Sequence, residues 1–319
     1  MPARPIGAVL LLAASLAAAS AHAADTVIVG KAVGTAWTFL GVDVGVKEGI
    51  FARYGLDVQI TAFGGDAKLQ QALASKGVDV GLGSGPAMAF AVKGAPIVAV
   101  AAFANEPRDI SLTVAADQPI HSVADLKGKL VAISTTGSLT DWLTKRVATT
   151  EGWGRDGMHP VAIGDAPAQT AALLSHQVDA MMGSTEYGFQ LEDRHQARRL
   201  VGMEQYVPHF VTHVVFARKD LLADHPDLVD RFLKGFFASL AFIKANKEKT
   251  TEIATPLQGE SASVLNRAYD VEEPMMDLDG QFDPQGLALI KQSFVDMGTL
   301  DRIPPDDAIL TRRFLPVHP

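Results

Sequence analysis

The side chains with the most capacity for chemistry gather in a few loops, each following a short apolar run. Ser84-Gly85-Pro86 reads as a helix start, with Ser84 or Gly85 as N-cap and Pro86 at the first helical position, where its missing N–H costs nothing. Ser134-Thr135-Thr136-Gly137-Ser138 places hydroxyls and exposed amides at the start of a helix running through Trp142. Helix N-termini offer free N–H groups to anions, so Ser84, Gly85, Thr135, Thr136, Gly137 and Ser138 are candidate contacts for an anion or oxygen ligand. The same hydroxyls could instead cap their own helices and do nothing more. Gly64-Gly65-Asp66 opens another helix; the glycines allow close backbone approach, whereas Asp66 would either cap the helix or repel an anion. Thr35 and Trp37 follow the first apolar run, with Trp37 readable as a stacking wall or as core. Glu186 and Tyr187 follow Ser184, and Glu186 could accept from a ligand amine or ring N–H or stand in solvent.

No nucleophile or metal pattern accompanies these loops. The chain has no cysteine, no His-Glu-x-x-His and no Gly-x-x-x-x-Gly-Lys-Ser/Thr phosphate loop. Gly81-Leu82-Gly83-Ser84-Gly85-Pro86 fails as a dinucleotide fingerprint because Pro86 replaces the last glycine. It fails as a nucleophile elbow because Leu82 and Pro86 stand where glycines are needed. His209 and His213 fall four apart, but Phe210-Val211-Thr212 leads into a strand, so they do not form a helical metal pair. No catalytic residue, metal or cofactor is assigned, and a binding protein is expected over an enzyme.

The elements that position these loops are short β-branched or apolar runs alternating with helical stretches, the pattern of an α/β fold. Strands are expected at Thr26–Val29, Leu56–Ile60, Val78–Gly81, Ile97–Ala101, Ser111–Val114, Leu130–Ile133, Val161–Ile163, Val178–Met182 and Thr212–Ala217. The segment Ala72 to Ser84 returns one hundred positions later as Ala172 to Ser184, with seven of thirteen residues identical. Each copy reads as a helix end, a turn, a buried strand and Gly-Ser at the strand's carboxyl end. Ligands of open α/β sheets sit beyond those ends, so two facing sheets would put Ser84 and Ser184 on opposite walls of one cleft. After Pro226, Leu228, Val229, Phe232, Leu233, Phe236, Phe237, Leu240 and Ile243 recur at helix spacing; Arg231 and Lys234 interrupt the stripe, which marks a packing face and not a membrane span.

Arg4, the apolar stretch Ile6 to Ala19 and Ala21-His22-Ala23 read as a secretory signal peptide cleaved after Ala23. An apolar run of about 14 residues is shorter than the roughly 20 that a bilayer-spanning helix needs. Without a cysteine, no lipid can be attached beside the cleavage point, so the mature protein is expected free in the periplasm, as a monomer. Loss of Arg4 leaves 27 Lys and Arg against 36 Asp and Glu, a net charge of −9, which argues against a nucleic-acid partner. A chain this long splits its core into two lobes more readily than it grows one.

Five segments resemble one family: Gly49-Ile50-Phe51-Ala52-Arg53-Tyr54-Gly55-Leu56-Asp57-Val58, Gly77-Val78-Asp79-Val80-Gly81, Lys93-Gly94-Ala95-Pro96, Ser122-Val123-Ala124-Asp125-Leu126-Lys127-Gly128-Lys129 and Ala217-Arg218-Lys219-Asp220. They are similar to the solute-binding proteins of nitrate, sulfonate and taurine ABC importers, a family that also takes in thiamine-pyrimidine synthases. The resemblance runs from about Thr26 to Asn246. It implies a type II periplasmic-binding-protein fold, two α/β lobes joined by a two-strand hinge, with crossings near Arg108-Asp109 and Arg218-Asp220. The implied division is residues 24–108 plus 220–319 for one lobe and 109–219 for the other. It implies ligand contacts around Thr35 to Trp37, Gly64 to Asp66, Ser84-Gly85, Thr135 to Ser138 and Glu186-Tyr187. The implied role is capture of a small organic acid, sulfonate- or carboxylate-like, by hinge closure and delivery to an inner-membrane ABC permease with a separate ATPase subunit. Asp66 and Glu186 fit a simple inorganic anion such as nitrate poorly. The alternatives are a pyrimidine-like heterocycle as ligand, a sensory receptor, or an enzyme of the synthase branch; the export signal and the missing cysteines stand against the enzyme.

Overall fold

Ten strands divide between two five-stranded sheets in the computed structural model, which describes residues 24–34 and 36–319. The expected signal peptide, residues 1–23, and Thr35 lie outside the described residues. The first sheet contains β1 (Asp25–Lys31), β2 (Leu56–Ala62), β3 (Val80–Ser84), β4 (Ile97–Ala104) and β10 (His213–Arg218), in the order β2-β1-β3-β10-β4. The second contains β5 (Ile110–Ala115), β6 (Leu130–Ile133), β7 (His159–Ala162), β8 (Ala180–Ser184) and β9 (Ala197–Gly202), in the order β7-β6-β8-β5-β9. In each sheet three strands run parallel, β2-β1-β3 and β7-β6-β8, and an antiparallel strand, β10 or β5, lies against the repeat strand. This is the expected α/β architecture of two sheets with helices.

The internal repeat builds the same corner twice. Lys76 and His176 both adopt left-handed backbone, with φ of 64° and 56°, at the turn between helix and strand. One residue before each strand, Asp79 and Asp179 reach sideways: their carboxylates accept from Ile28 N–H and Leu130 N–H, each at 2.9 Å. That use of Asp79 and Asp179 explains why β3 and β8 begin at Val80 and Ala180, two residues later than expected. Gly83-Ser84 and Gly183-Ser184 then form the strand ends themselves.

The chain leaves the first sheet after Ala104, enters the second at Ile110, leaves it after Gly202 and re-enters the first at His213. The return therefore lies ahead of the 218–220 expected from sequence. The reason is pairing: His213–Arg218 hydrogen-bonds between β3 and β4 and is a central strand of the first sheet. The sequence reading also missed β9, whose Ala197-Arg198-Arg199 opening shows no apolar run; it is an edge strand paired to β5 alone. The expected helix after Pro226 spans Pro226–Ala245 and buries Phe232, Phe236, Phe237, Leu240 and Ile243. Its rings interlock with the rest of the core, Phe232 stacking on Phe51 at 5.5 Å and Phe236 meeting Phe103 edge-on at 5.2 Å. Among the described residues no helix is long and apolar enough to cross a membrane.

Candidate functional site

Six parallel strands, three from each sheet, point their carboxyl ends into one cavity of about 730 Å³. Ala32 beyond β1, Phe63 to Asp66 beyond β2 and Ser84 ending β3 form one side. Ser134 beyond β6, Gly164 beyond β7 and Ser184 ending β8 form the other. Ser84 and Ser184 thus lie on opposite walls, as the repeat predicts. Phe39, Phe63, Phe90, Leu139, Met182 and Tyr187 give the cavity extensive apolar surface. Its charged lining is lopsided: Asp66, Asp109, Asp165, Glu186 and Glu260 against Lys93 and His213, with no arginine among the described lining residues.

The loop after β6 is built from hydroxyls that hold one another. Ser134 Oγ lies 3.0 Å from both Ser138 Oγ and Thr140 Oγ1, and those two are 2.9 Å apart. Ser138 is the N-cap of helix Leu139–Thr150, accepting from Asp141 N–H at 3.4 Å. Asp141, in the first turn, accepts from Gly137 N–H at 2.7 Å and pairs with Lys145. The helix start therefore carries its own carboxylate, itself balanced by a lysine, while its first N–H groups keep no intrahelical partner. Thr135, Thr136 and Gly137 are exposed at the mouth of the cavity, and Ser138 is half-buried. Ser138 caps the helix, and Thr135, Thr136, Gly137 and Ser138 line the cavity.

On the facing wall, Asp66 does not cap its own helix. It turns to the end of β3, accepting from Ser84 N–H at 2.9 Å and from Ser84 Oγ at 2.7 Å. Gly65 sits at φ 118°, a backbone conformation closed to other residues at little cost, and so brings Asp66 round to the strand end. Two expected contacts fall off the cavity wall. Gly85 is buried against the chain beyond β9: its N–H donates to Thr212 O at 2.8 Å, and a Cβ there would stand 1.9 Å from Val211 O. Trp37 begins a 3-10 turn that rotates its ring into the core, edge-on to Tyr269 at 5.8 Å. Only its backbone N–H reaches toward the site, donating to Glu186 Oε1 at 2.7 Å.

Glu186 is not a solvated loop carboxylate; it is 4% exposed, in the first turn of helix Thr185–Asp193. Burial pushes its carboxyl up to about 7, against the opposing pull of the Trp37 N–H and with added repulsion from Asp109. Beside it lie residues that the sequence did not mark as site residues. Asp109, 6% exposed, joins β4 to β5; its Oδ2 meets His213 Nε2 at 2.6 Å and accepts from Thr38 Oγ1 at 3.1 Å. Glu272 closes helix Ala262–Glu272 and stands behind them, its Oε2 3.5 Å from the same Thr38 hydroxyl. Burial, then the charges of Glu186 and Asp109, hold the Glu272 carboxyl well above the usual carboxylate range. Asp109 and His213 were visible only as a crossing point and as half of a rejected metal pair. Glu272 carried no local signal at all, because long-range packing brings it there. Among the described residues no group of three or more His, Asp or Glu is placed to hold a metal ion.

The profile of the family described as NMT1/THI5 like matches residues 37–250, more than half of the chain. No curated protein sequence matches it. Solved structures do. The aliphatic sulphonate binding protein SsuA of Escherichia coli superposes with a TM-score of 0.76 at 21% identity, over 90% of this chain and 92% of that one. The alkanesulfonate-binding SsuA of Xanthomonas axonopodis pv. citri, bound to MOPS, gives 0.75 at 17% identity, over 89% and 97%. The desulfurization enzyme DSZB shares the fold at 0.64 and 15% identity, over 91% and 97%.

Proposed function

The chain belongs to the NMT1/THI5-like family, and from that premise we propose that it is the periplasmic solute-binding component of an ABC importer. It captures a small organic acid, sulfonate- or carboxylate-like, between two lobes that close about a hinge and then dock on a membrane permease served by an ATPase subunit. The observation that carries the reading is the single cavity at the carboxyl ends of the parallel strands of both sheets. A site split between two sheets that are joined by only two chain passages, 105–109 and 203–212, suits capture by closure. Each lobe is organised around one sheet. Solute binding shifts the open and closed populations by its preference for the closed form.

Within the cavity, the acid group meets the start of helix Leu139–Thr150 and the hydroxyls of Ser134, Ser138 and Thr140. Phe63, Phe90 and Tyr187 cover the carbon body. The two SsuA proteins, described as binding sulfonates, support the acid reading on the same fold. DSZB supports an enzyme on that fold, but here the Ser84 hydroxyl is held by Asp66 and the chain has no cysteine to act as nucleophile. Export fits the leader read in residues 1–23.

A thermal-shift panel of sulfonates, carboxylates, pyrimidines, amines and nitrate tests this reading. A true solute at about a hundredfold its Kd adds roughly 2.7 kcal/mol to stability. Ser138→Ala and Tyr187→Ala, made separately, should each weaken binding of the hit; undiminished affinity in both would move the solute away from this wall. Turnover of a compound with no stabilising solute found would overturn the receptor reading.

A further inference from the structure

Beneath the floor of the cavity, two buried carboxyls meet across the join between the sheets. Glu186 follows β8 of the second sheet, in the first turn of helix Thr185–Asp193. Glu272 ends helix Ala262–Glu272, which is fastened to the first sheet's side: Tyr269 donates to Ile243 O at 2.8 Å, and Met276, just beyond the helix, bridges Ala104 at the end of β4. Both carboxyls are buried. Glu186 spends Oε1 on the Trp37 N–H, and Glu272 Oε2 stands 3.5 Å from the Thr38 hydroxyl. Glu186 Oε2 and Glu272 Oε1 receive no N–H or hydroxyl donor from the described residues. The two carboxyls instead hydrogen-bond one another. A carboxylate has nothing to donate, so that bond exists only while one of the pair carries a proton.

No cation is placed to do the proton's work. The groups facing the pair are Asp109 on the first chain passage, His213 on β10, the Trp37 N–H and Thr38 hydroxyl of the 3-10 turn, and the Ser184 hydroxyl. His213 Nε2 lies 2.6 Å from Asp109 Oδ2 and is engaged there. Arg267, on the helix that ends at Glu272, pairs with Glu192 and Asp193, and Lys244 pairs with Glu273. Among the described residues no lysine or arginine forms an ion pair with Glu186, Asp109 or Glu272.

We propose that Glu186 and Glu272 form a proton-held clasp between the two sheets: the shared proton holds the cavity closed, and its loss drives the carboxylates apart and opens it. The inference rests on the reading of capture by closure and adds a control on closure that needs no solute contact. Two like charges in a pocket without water cannot both stay ionised at this separation, and opening the join relieves them by hydration. Burial pushes Glu186 up to about 7 and outweighs the Trp37 N–H, which favours the ionised form; burial and its acidic neighbours raise Glu272 further. Both groups therefore bind protons more tightly closed than open. By linkage, acid favours the closed form, and the clasp loosens as pH rises through about 7.

The test reads closure directly in the solute-free protein. Because the chain has no cysteine, Gln71→Cys with Ala171→Cys puts its only two spin labels on exposed, repeat-related positions of helices Asp66–Ala74 and Ala166–Leu174, one beside each sheet. Pulsed electron spin resonance then gives the distance between them. The closed-to-open ratio should fall at least about tenfold from about pH 5 to about pH 8, a result that needs no change at the clasp itself. Glu272→Gln supplies an amide N–H where the proton stood, so it should remain closed at pH 8 and lose most of the pH response; Glu272→Ala should be more open at pH 5. Equal distances at both pH values, or a full pH response in Glu272→Gln, would overturn the clasp. In that event, a distance shortened by any of the sulfonates, carboxylates, pyrimidines, amines or nitrate leaves capture by closure standing, and a distance that none of them shortens overturns that reading too.

Discussion

Glu186 couples the site to folding through one proton. Its carboxyl is raised to about 7 in the folded chain against an ordinary value of 4.5, chiefly by burial. A carboxyl raised in this way holds its proton longer folded than unfolded, so its contribution is fully present below pH 4.5 and is lost as pH rises toward 7. At 1.36 kcal/mol per unit the loss is roughly 3 kcal/mol for the solute-free protein. Glu272, raised by the same burial and by its acidic neighbours, pushes in the same direction. Urea unfolding at about pH 5 and pH 8 should show the unmutated protein weakening with pH and Glu186→Gln weakening less. Equal slopes would mean that Glu186 is ionised without cost. Sequence could place this carboxylate after β8 but could not say that it is buried, because its neighbours come from positions far away: Trp37, Asp109 and Glu272. Trp37 misled for a related reason. Residue type left a wall and a core position open, and the 3-10 turn sends the ring inward against Tyr269 and leaves only an amide for the site.

Elements were legible wherever a local pattern sufficed. The repeated segment announced two equivalent strand ends, and the structure shows why the copies resemble one another: the Asp before each strand braces the neighbouring strand's backbone. The two braces differ in burial. Asp79 also pairs with Arg218 at 2.8 Å, with side chains 21% and 12% exposed, whereas Asp179 faces Lys129 at 3.4 Å and both are more open, at 28% and 43%. Screening makes the second pair worth little, while loss of the first takes one carboxylate from a mostly buried guanidinium, which keeps Asp220 and the Val78 carbonyl, and leaves the Ile28 amide without its acceptor. Asp79→Ala should therefore cost about 2–3 kcal/mol and Asp179→Ala about 1 kcal/mol, read from denaturant midpoints. The reverse order would show that the repeat's symmetry, and not burial, sets its energetics. Strand β9 escaped the sequence reading because Arg198 and Arg199 break its alternation. Arg198 is nonetheless at home there, its guanidinium donating to the carbonyls of Ala116, Gln118 and Ile120 beside the sheet edge. A charge that reads as loop in one dimension is an edge brace in three.

At the scale of the whole molecule, the two sheets are tied at two depths. Near the chain passages, Trp37 N–H, after β1 of the first sheet, donates to Glu186, after β8 of the second, at 2.7 Å beside the proposed hinge. Elsewhere helix Thr185–Asp193 meets helix Ala262–Glu272: Arg267 pairs with Glu192 and Asp193 and covers the Phe189 ring at 4.1 Å, and Gln190 donates to Glu260 on the cavity lining. Arg267 is 39% exposed, so its ion pairs contribute at most about 1 kcal/mol to folding. Their place matters more than their strength. If the helix contact exists only with the cavity closed, its full worth enters the open–closed equilibrium, and through it the apparent affinity. Arg267→Ala should then lower Tm by no more than a few degrees while raising the Kd of a bound solute up to about fivefold, through faster release. Stopped-flow dissociation beside a melting curve separates the outcomes. A lowered Tm with unchanged release would place this contact in both the open and closed forms, and closure would have to rest on the solute and the cavity floor alone.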